Sequence, residues 1–256
     1  VTFLIVAALG VLGLAGVAKL VPDVPKPDGV QLRHEVAVFK NVQVMLAMAM
    51  TVLGFGGVFA AITYIAPMMT EVSGFAESSI TWLMVVFGLG MMAGNLIGGR
   101  FADRRLMPML YTALGGLALV LLLFTFLASG KAASVVAVFL IGALGFATVP
   151  PLQKRVLDHA HGAPTLASAA NIGAFNLGNA LSAWLGGLVI SAGLGYTAPN
   201  AVGAVLTAAA LVLAVISHRL ELRPTRTTAA SAPADLDPTA ASDRSAAPAP
   251  AGAVRS

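Results

Sequence analysis

Apolar runs of bilayer length alternate with short polar interruptions along most of the chain. A membrane-crossing helix needs roughly 20 mostly apolar residues. Seven stretches meet that length: about 1–21, 40–68, 78–99, 107–128, 132–151, 164–192 and 197–217. Short turns join several of them, which predicts antiparallel neighbours in an all-α bundle. The spans are not equally greasy. Span one holds only Thr2 before Lys19, span four only Tyr111, Thr112 and Thr125, and span seven Thr207, with Asn200 at its mouth. Such helices are apolar all round, as lipid-facing helices are. Span two carries Asn41, Gln43, Thr51, Thr63 and Tyr64, and span three carries Ser78, Ser79, Thr81 and Asn95. Span six carries Ser168, Asn171, Asn176, Asn179 and Ser182, while span five is weaker, with Ser134, Thr148 and Gln153. Greasy spans at one, four and seven make a period of three, the polarity pattern of three-helix repeats.

Composition supports the membrane reading. The chain is 58% hydrophobic and 10% charged, with a mean hydropathy of +0.89, whereas a soluble domain carries roughly 25% charged residues. The absence of cysteine excludes disulfides, thiolate metal sites and cysteine nucleophiles. Net charge is +4, but basic residues in such a chain mark the cytoplasmic face rather than a nucleic-acid surface. Fourteen of the fifteen Lys and Arg fall on one side: Lys19, Lys26, Arg33 and Lys40; Arg100, Arg104 and Arg105; Lys154 and Arg155 between spans five and six; and five after span seven. Only Lys131 is opposite. The C-terminus is therefore expected in the cytoplasm, with Glu71 and Glu77 outside. Seven spans then place the N-terminus outside, yet Val1 stands in mid-span without an initiator methionine or signal peptide. The expectation is a fragment whose preceding spans are missing. Residues 22–39, polar and holding three prolines, read as a cytoplasmic linker, 40–218 as a six-helix bundle and 219–256 as a disordered cytoplasmic tail.

Faces come next. Gly90, Gly94 and Gly98 stand four apart in span three and let a neighbouring backbone approach closely; tight packing is the plain reading, and a sliding surface is compatible with it. In span six, Ser168, Asn171, Asn176, Asn179 and Ser182 fall within an arc of about 140°. A polar amide without partners is costly in hydrocarbon. That arc therefore meets either other helices or a watery cavity that hydrogen-bonds a solute. Phe55 and Phe59 share a face of span two, and Phe139, Gly142 and Phe146 share one of span five. Core packing is their default role, and a hydrophobic solute pocket would use the same residues.

No Asp or Glu lies inside a span, although intramembrane carboxylates are the common proton-relay groups. Motifs for zinc hydrolysis, phosphate cradling and serine catalysis are absent, and His34, His159, His161 and His218 stand at the cytoplasmic edge. The chain is read as no enzyme, without metal or cofactor.

The stretch "GGRFADRRLMP" resembles the loop motif G-x-x-x-D-R-x-G-R of the major facilitator superfamily, with Gly99, Asp103 and Arg104 matching. Leu106 and Met107 stand where that motif has Gly and Arg, a degeneracy typical of the C-terminal half. "GFGGVFAAITYIAPMMTEVSGF", "GNLIGGRFADRR" and "LASAANIGAFNLGNALSAWLGG" look like the sugar-efflux and chloramphenicol-resistance branch of the drug:proton antiporters. The resemblance implies helices six to twelve of a twelve-span transporter in the cell membrane, with residues 1–21 as the last helix of the missing N-terminal half. It implies efflux of a small amphipathic drug or sugar in exchange for protons, by alternating access. The coupling carboxylate would then lie in the missing half. Gly99 would allow close helix approach, and Arg100, Asp103, Arg104 and Arg105 would form half of a cytoplasmic gate. Thr51, Phe55, Phe59, Phe139, Phe146, Asn171, Asn176 and Asn179 are the cavity candidates. A proton-driven sugar importer, or a truncated or accessory membrane protein without transport of its own, remains the alternative.

Overall fold

The computed structural model describes residues 10–11, 13–16, 18–20 and 36–222. Most of span one, nearly all of the linker and most of the tail lie outside the described residues. Residues 10–11, 13–16 and 18–20 are helical.

Among the described residues seven helices longer than five residues follow: α1 Val42–Ile62, α2 Ser79–Ala102, α3 Leu106–Leu127, α4 Lys131–Ala147, α5 Val149–His159, α6 Pro164–Ser191 and α7 Ala198–Glu221. Six membrane-length apolar stretches result, because α4 and α5 run on as one span of 29 residues. Local chemistry sets the ends. Asn41 is extended and its side chain accepts from the Gln43 N–H at 2.9 Å, capping α1. Gly193, at φ 80°, closes α6 by letting the Leu194 N–H reach back to the Val189 carbonyl.

The expected end of span five needs correction. Pro150 and Pro151 interrupt the helical ladder, but the chain does not leave the bundle there. It re-forms as α5, a short amphipathic helix that buries Pro151, Leu152, Arg155 and Val156. Arg155, placed in a loop by the charge pattern, is a buried helical residue.

Polar contacts show how the ends meet. Gln43 at the start of α1 and Ser217 near the end of α7 bond each other, and Asn41 donates to the His159 carbonyl. Met107 at the start of α3 joins them through Arg155. All four regions therefore share one end, the basic end. At the opposite end Ser73 donates to the Ala128 carbonyl, between α1–α2 and α3–α4. Between these ends lie two apolar cores. One contains Val44, Met50, Leu110, Leu114, Leu152 and Val156. The other contains Met68, Leu83, Leu117, Leu121, Phe124 and Ile141.

Glycine seams bind the helices. A Cβ on Gly90, Gly94 or Gly98 would collide with the carbonyl oxygens of Phe139, Ala143 and Ala147, so α2 lies backbone to backbone on α4. Gly142 answers from α4, 2.5 Å from the Phe87 oxygen for the same added atom. Gly178 of α6 sits equally close to the Val52 carbonyl of α1, and Gly57 of α1 and Gly203 of α7 meet each other's carbonyls. Gly88, by contrast, has open space beside it. Gly94→Ala is expected to destabilise the protein by about 1–3 kcal/mol through overpacking. Gly88→Ala should be neutral or stabilising by up to about 1 kcal/mol. Thermal unfolding of the full-length protein in detergent separates the two; equal melting temperatures would remove the seam from the account.

Candidate functional site

The bundle gathers an aromatic cluster from four helices. Phe55, only 6% exposed, is its hub. Its ring lies 5.4 Å from Phe59 on α1, 5.4 Å from Phe146 on α4 and 4.8 Å from Phe175 on α6. The last two contacts are edge-to-face, the arrangement favoured by ring quadrupoles. Phe87 of α2 reaches Phe146 at 6.3 Å. The structure thus unites Phe55, Phe59 and Phe146 and adds Phe175 and Phe87, which single-helix periodicity does not mark. Phe139 stands apart, 37% exposed, and contributes its backbone to the α2 seam.

Amides flank this cluster on α6. Asn171, Phe175 and Asn179 follow at four-residue spacing, so they share a face. Asn171 is fully buried and donates to Gln153 Oε1 at 2.7 Å, and Gln153 donates to Ser168 Oγ at 2.8 Å. The carbonyl oxygens of Asn171 and Asn179 are buried and lack a partner among the described residues. An unmatched buried oxygen costs roughly 1–3 kcal/mol, so each is an unused acceptor. The rest of the expected arc divides. Ser182 is buried and donates to the Gly178 carbonyl, while Asn176 is exposed on another side of α6 and donates to the Ile172 carbonyl. Thr51 is fully buried, its hydroxyl on the Ala47 carbonyl at 3.1 Å.

At the basic end, Asp103 lies 3.6 Å from Lys154 of α5, which also lies 3.6 Å from Asp158. The first of these exposed pairs links the α2–α3 turn to α5, and the second lies within α5. Arg100, Arg104 and Arg105 are exposed and make no ion pair among the described residues. The close approach expected at Gly99 belongs to Gly98 within this bundle, because a Cβ on Gly99 meets nothing within 4 Å. Beneath this surface Arg155 donates to Ser217 Oγ at 2.8 Å and to Met107 Sδ at 3.0 Å. Ser217 in turn donates to Gln43 Oε1 at 2.5 Å. One guanidinium therefore ties together α1, α3, α5 and α7. The described residues contain no group of three or more His, Asp or Glu arranged to hold a metal.

A family model described as Major Facilitator Superfamily matches residues 1–174. The chain is 40% identical over 220 residues to the uncharacterized MFS-type transporter YfhI of Bacillus subtilis, an alignment covering 86% of this chain and 55% of that protein. It is 39% identical over 218 residues to the inner membrane transport protein YdhP of Escherichia coli, covering 85% and 56%. It is 35% identical over 238 residues to a chloramphenicol resistance protein of Streptomyces lividans, covering 91% and 59%. The chain spans a little over half the length of these curated relatives.

The two neighbouring cations of α5 should behave differently. Arg155→Met is expected to cost about 2–3 kcal/mol, because it deletes charged hydrogen bonds from a buried node. Lys154→Met should cost less than about 1 kcal/mol, the range of exposed ion pairs. Thermal melts of both variants test this, and similar losses would refute the distinction.

Proposed function

Because the chain belongs to the Major Facilitator Superfamily, we propose that it is the solute-handling C-terminal half of a secondary active transporter. The proposed cargo is a small, uncharged, amphipathic molecule of the chloramphenicol type, or a sugar, expelled across the cell membrane in exchange for protons. In this reading residues 40–218 form one bundle, with the C-terminus in the cytoplasm. The face of Phe55, Phe59, Phe146 and Phe175, flanked by the unused oxygens of Asn171 and Asn179, carries the reading. Rings bind an apolar body, and amide oxygens accept from hydroxyl or amide groups of the solute. No charged side chain takes part in that face, which favours a neutral cargo. The name of the Streptomyces relative points the same way.

Glu71, Glu77, Asp103, Asp158 and Glu221 all lie near the ends of the spans, not at their centres. We therefore assign the proton-handling carboxylate to a partner segment outside this sequence. That segment would face the exposed sides of α2 and α6, where Met92, Asn95, Ile172 and Asn176 lack cover. Rocking of the two parts about the face would give alternating access. Asp103 and the α2–α3 arginines would lock the cytoplasmic side in one state.

Efflux from cells expressing the full-length protein tests this. Asn179→Leu is expected to lower the transport rate about tenfold, the equivalent of one buried hydrogen bond. Unimpaired efflux in both Asn171→Leu and Asn179→Leu would contradict the assignment. Asp103→Asn is expected to slow transport roughly two- to fivefold while membrane insertion stays normal. An unchanged rate would reduce the turn to a topological anchor.

A further inference from the structure

We propose that the groove between α2, α3 and α4 at the basic end binds an anionic phospholipid, with an acyl chain in the groove and the phosphate at Arg105. The groove has a volume of about 400 Å3. Ile97 and Phe101 of α2 and Met109 of α3 form its sides, and Ala143 and Ala147 of α4 form its floor. It follows from the glycine seam. Gly94 and Gly98 press α2 onto the α4 backbone, and α3 packs on α4 as well. The three-residue turn after α2 joins α2 to α3, so the groove's mouth lies at that turn.

The chemistry of the lining selects the occupant. Ile97 is 50% and Phe101 43% exposed, a large cost unless hydrocarbon covers them. Among the lining side chains only Thr112 and Arg105 are polar, and the Thr112 hydroxyl is taken by the Pro108 and Met109 carbonyls, each at 3.0 Å. The buried part of the ligand is thus a hydrocarbon chain, and its polar part sits at Arg105.

Charge selects the headgroup. Arg100 and Arg104 lie in the same short segment as Arg105, and Asp103, the acid among them, is engaged by Lys154. Helix α3 starts directly after Arg105 with no acidic residue in its first turn and no side-chain cap. The positive end of its dipole therefore adds to the same mouth. An anionic phosphodiester complements this cluster, whereas a zwitterionic headgroup brings a cation with it. Basic pockets between membrane helices on the cytoplasmic side recognise anionic headgroups on this principle. The inference depends on residence in a bilayer and not on any transported solute, so it stands or falls independently of the proposed cargo.

Native mass spectrometry of the full-length protein, titrated with phosphatidylglycerol and with phosphatidylcholine of identical acyl chains, tests the site. Phosphatidylglycerol should be held about fivefold more tightly, the effect of roughly one well-placed cation. Arg105→Ala should abolish that preference and Arg105→Lys should keep it. Thr112→Trp, which fills the groove from an exposed position, should weaken both lipids. Equal retention of the two lipids, or a preference that survives Arg105→Ala, overturns the headgroup assignment. Lipid retention indifferent to Thr112→Trp overturns the groove, leaving only surface attraction of phosphate to arginine.

Discussion

Direct contact between helix backbones is the constraint on which this bundle depends. Inside a bilayer, lipid tails are as apolar as leucine, so helices gain little by hiding apolar side chains from their surroundings. What remains is close packing, and this chain obtains it where side chains are absent. Gly94 and Gly98 seat α2 on the Ala143 and Ala147 carbonyls, and Gly178 seats α6 on the Val52 carbonyl. These seams decide which side chains meet. Because Gly142 admits the Phe87 backbone, the Phe87 ring comes within reach of Phe146. Because α6 lies tight on α1, Phe175 is the nearest ring to Phe55.

Polar groups inside the bundle follow two rules. Most short hydroxyls within the helices turn back onto their own helix, as Thr51 bonds the Ala47 carbonyl, Ser182 that of Gly178 and Thr207 that of Gly203. Ser217 is an exception that reaches across to Gln43. Longer side chains bond across helices, as in the Gln43–Ser217–Arg155 node and the Asn171–Gln153–Ser168 chain. Neither rule accounts for the unmatched oxygens of Asn171 and Asn179. Asn200 Oδ1, beside Met68 in the core, is likewise unmatched among the described residues; Asn171 and Asn179 differ in standing on the Phe175 face of α6, the face proposed to meet the solute.

Hydropathy made four of the six described spans legible to within a few residues, because membrane length and apolarity are properties of single helices; the helix expected over 40–68 breaks after Ile62 and resumes only as short turns. Span five ran beyond its expected end. Lys154, Arg155 and Asp158 lower its hydropathy, and only packing reveals that α5 buries Arg155 while leaving Lys154 and Asp158 toward the surface. The spacing of Gly90, Gly94 and Gly98 announced a seam but not its partner. The short-range pattern placed Asn176 beside Asn179, yet the two differ by some 60° around the helix and meet different surroundings. Phe87 and Phe175 carried no signal of their own, since their role arises from contacts between helices far apart in sequence.

In the proposed transport cycle the aromatic and amide face of α1, α4 and α6 handles the solute. This chain contains no cysteine, so a thiol placed at Asn179 is the only one that it contributes. Labelling of Asn179→Cys by a maleimide in membranes holding the full-length protein, with and without chloramphenicol, tests the claim most directly, with Lys131→Cys at the distant end as the reference. Solute is expected to slow labelling at position 179 and to leave position 131 unaffected. Equal labelling at position 179 with and without a solute that the same cells export would contradict it.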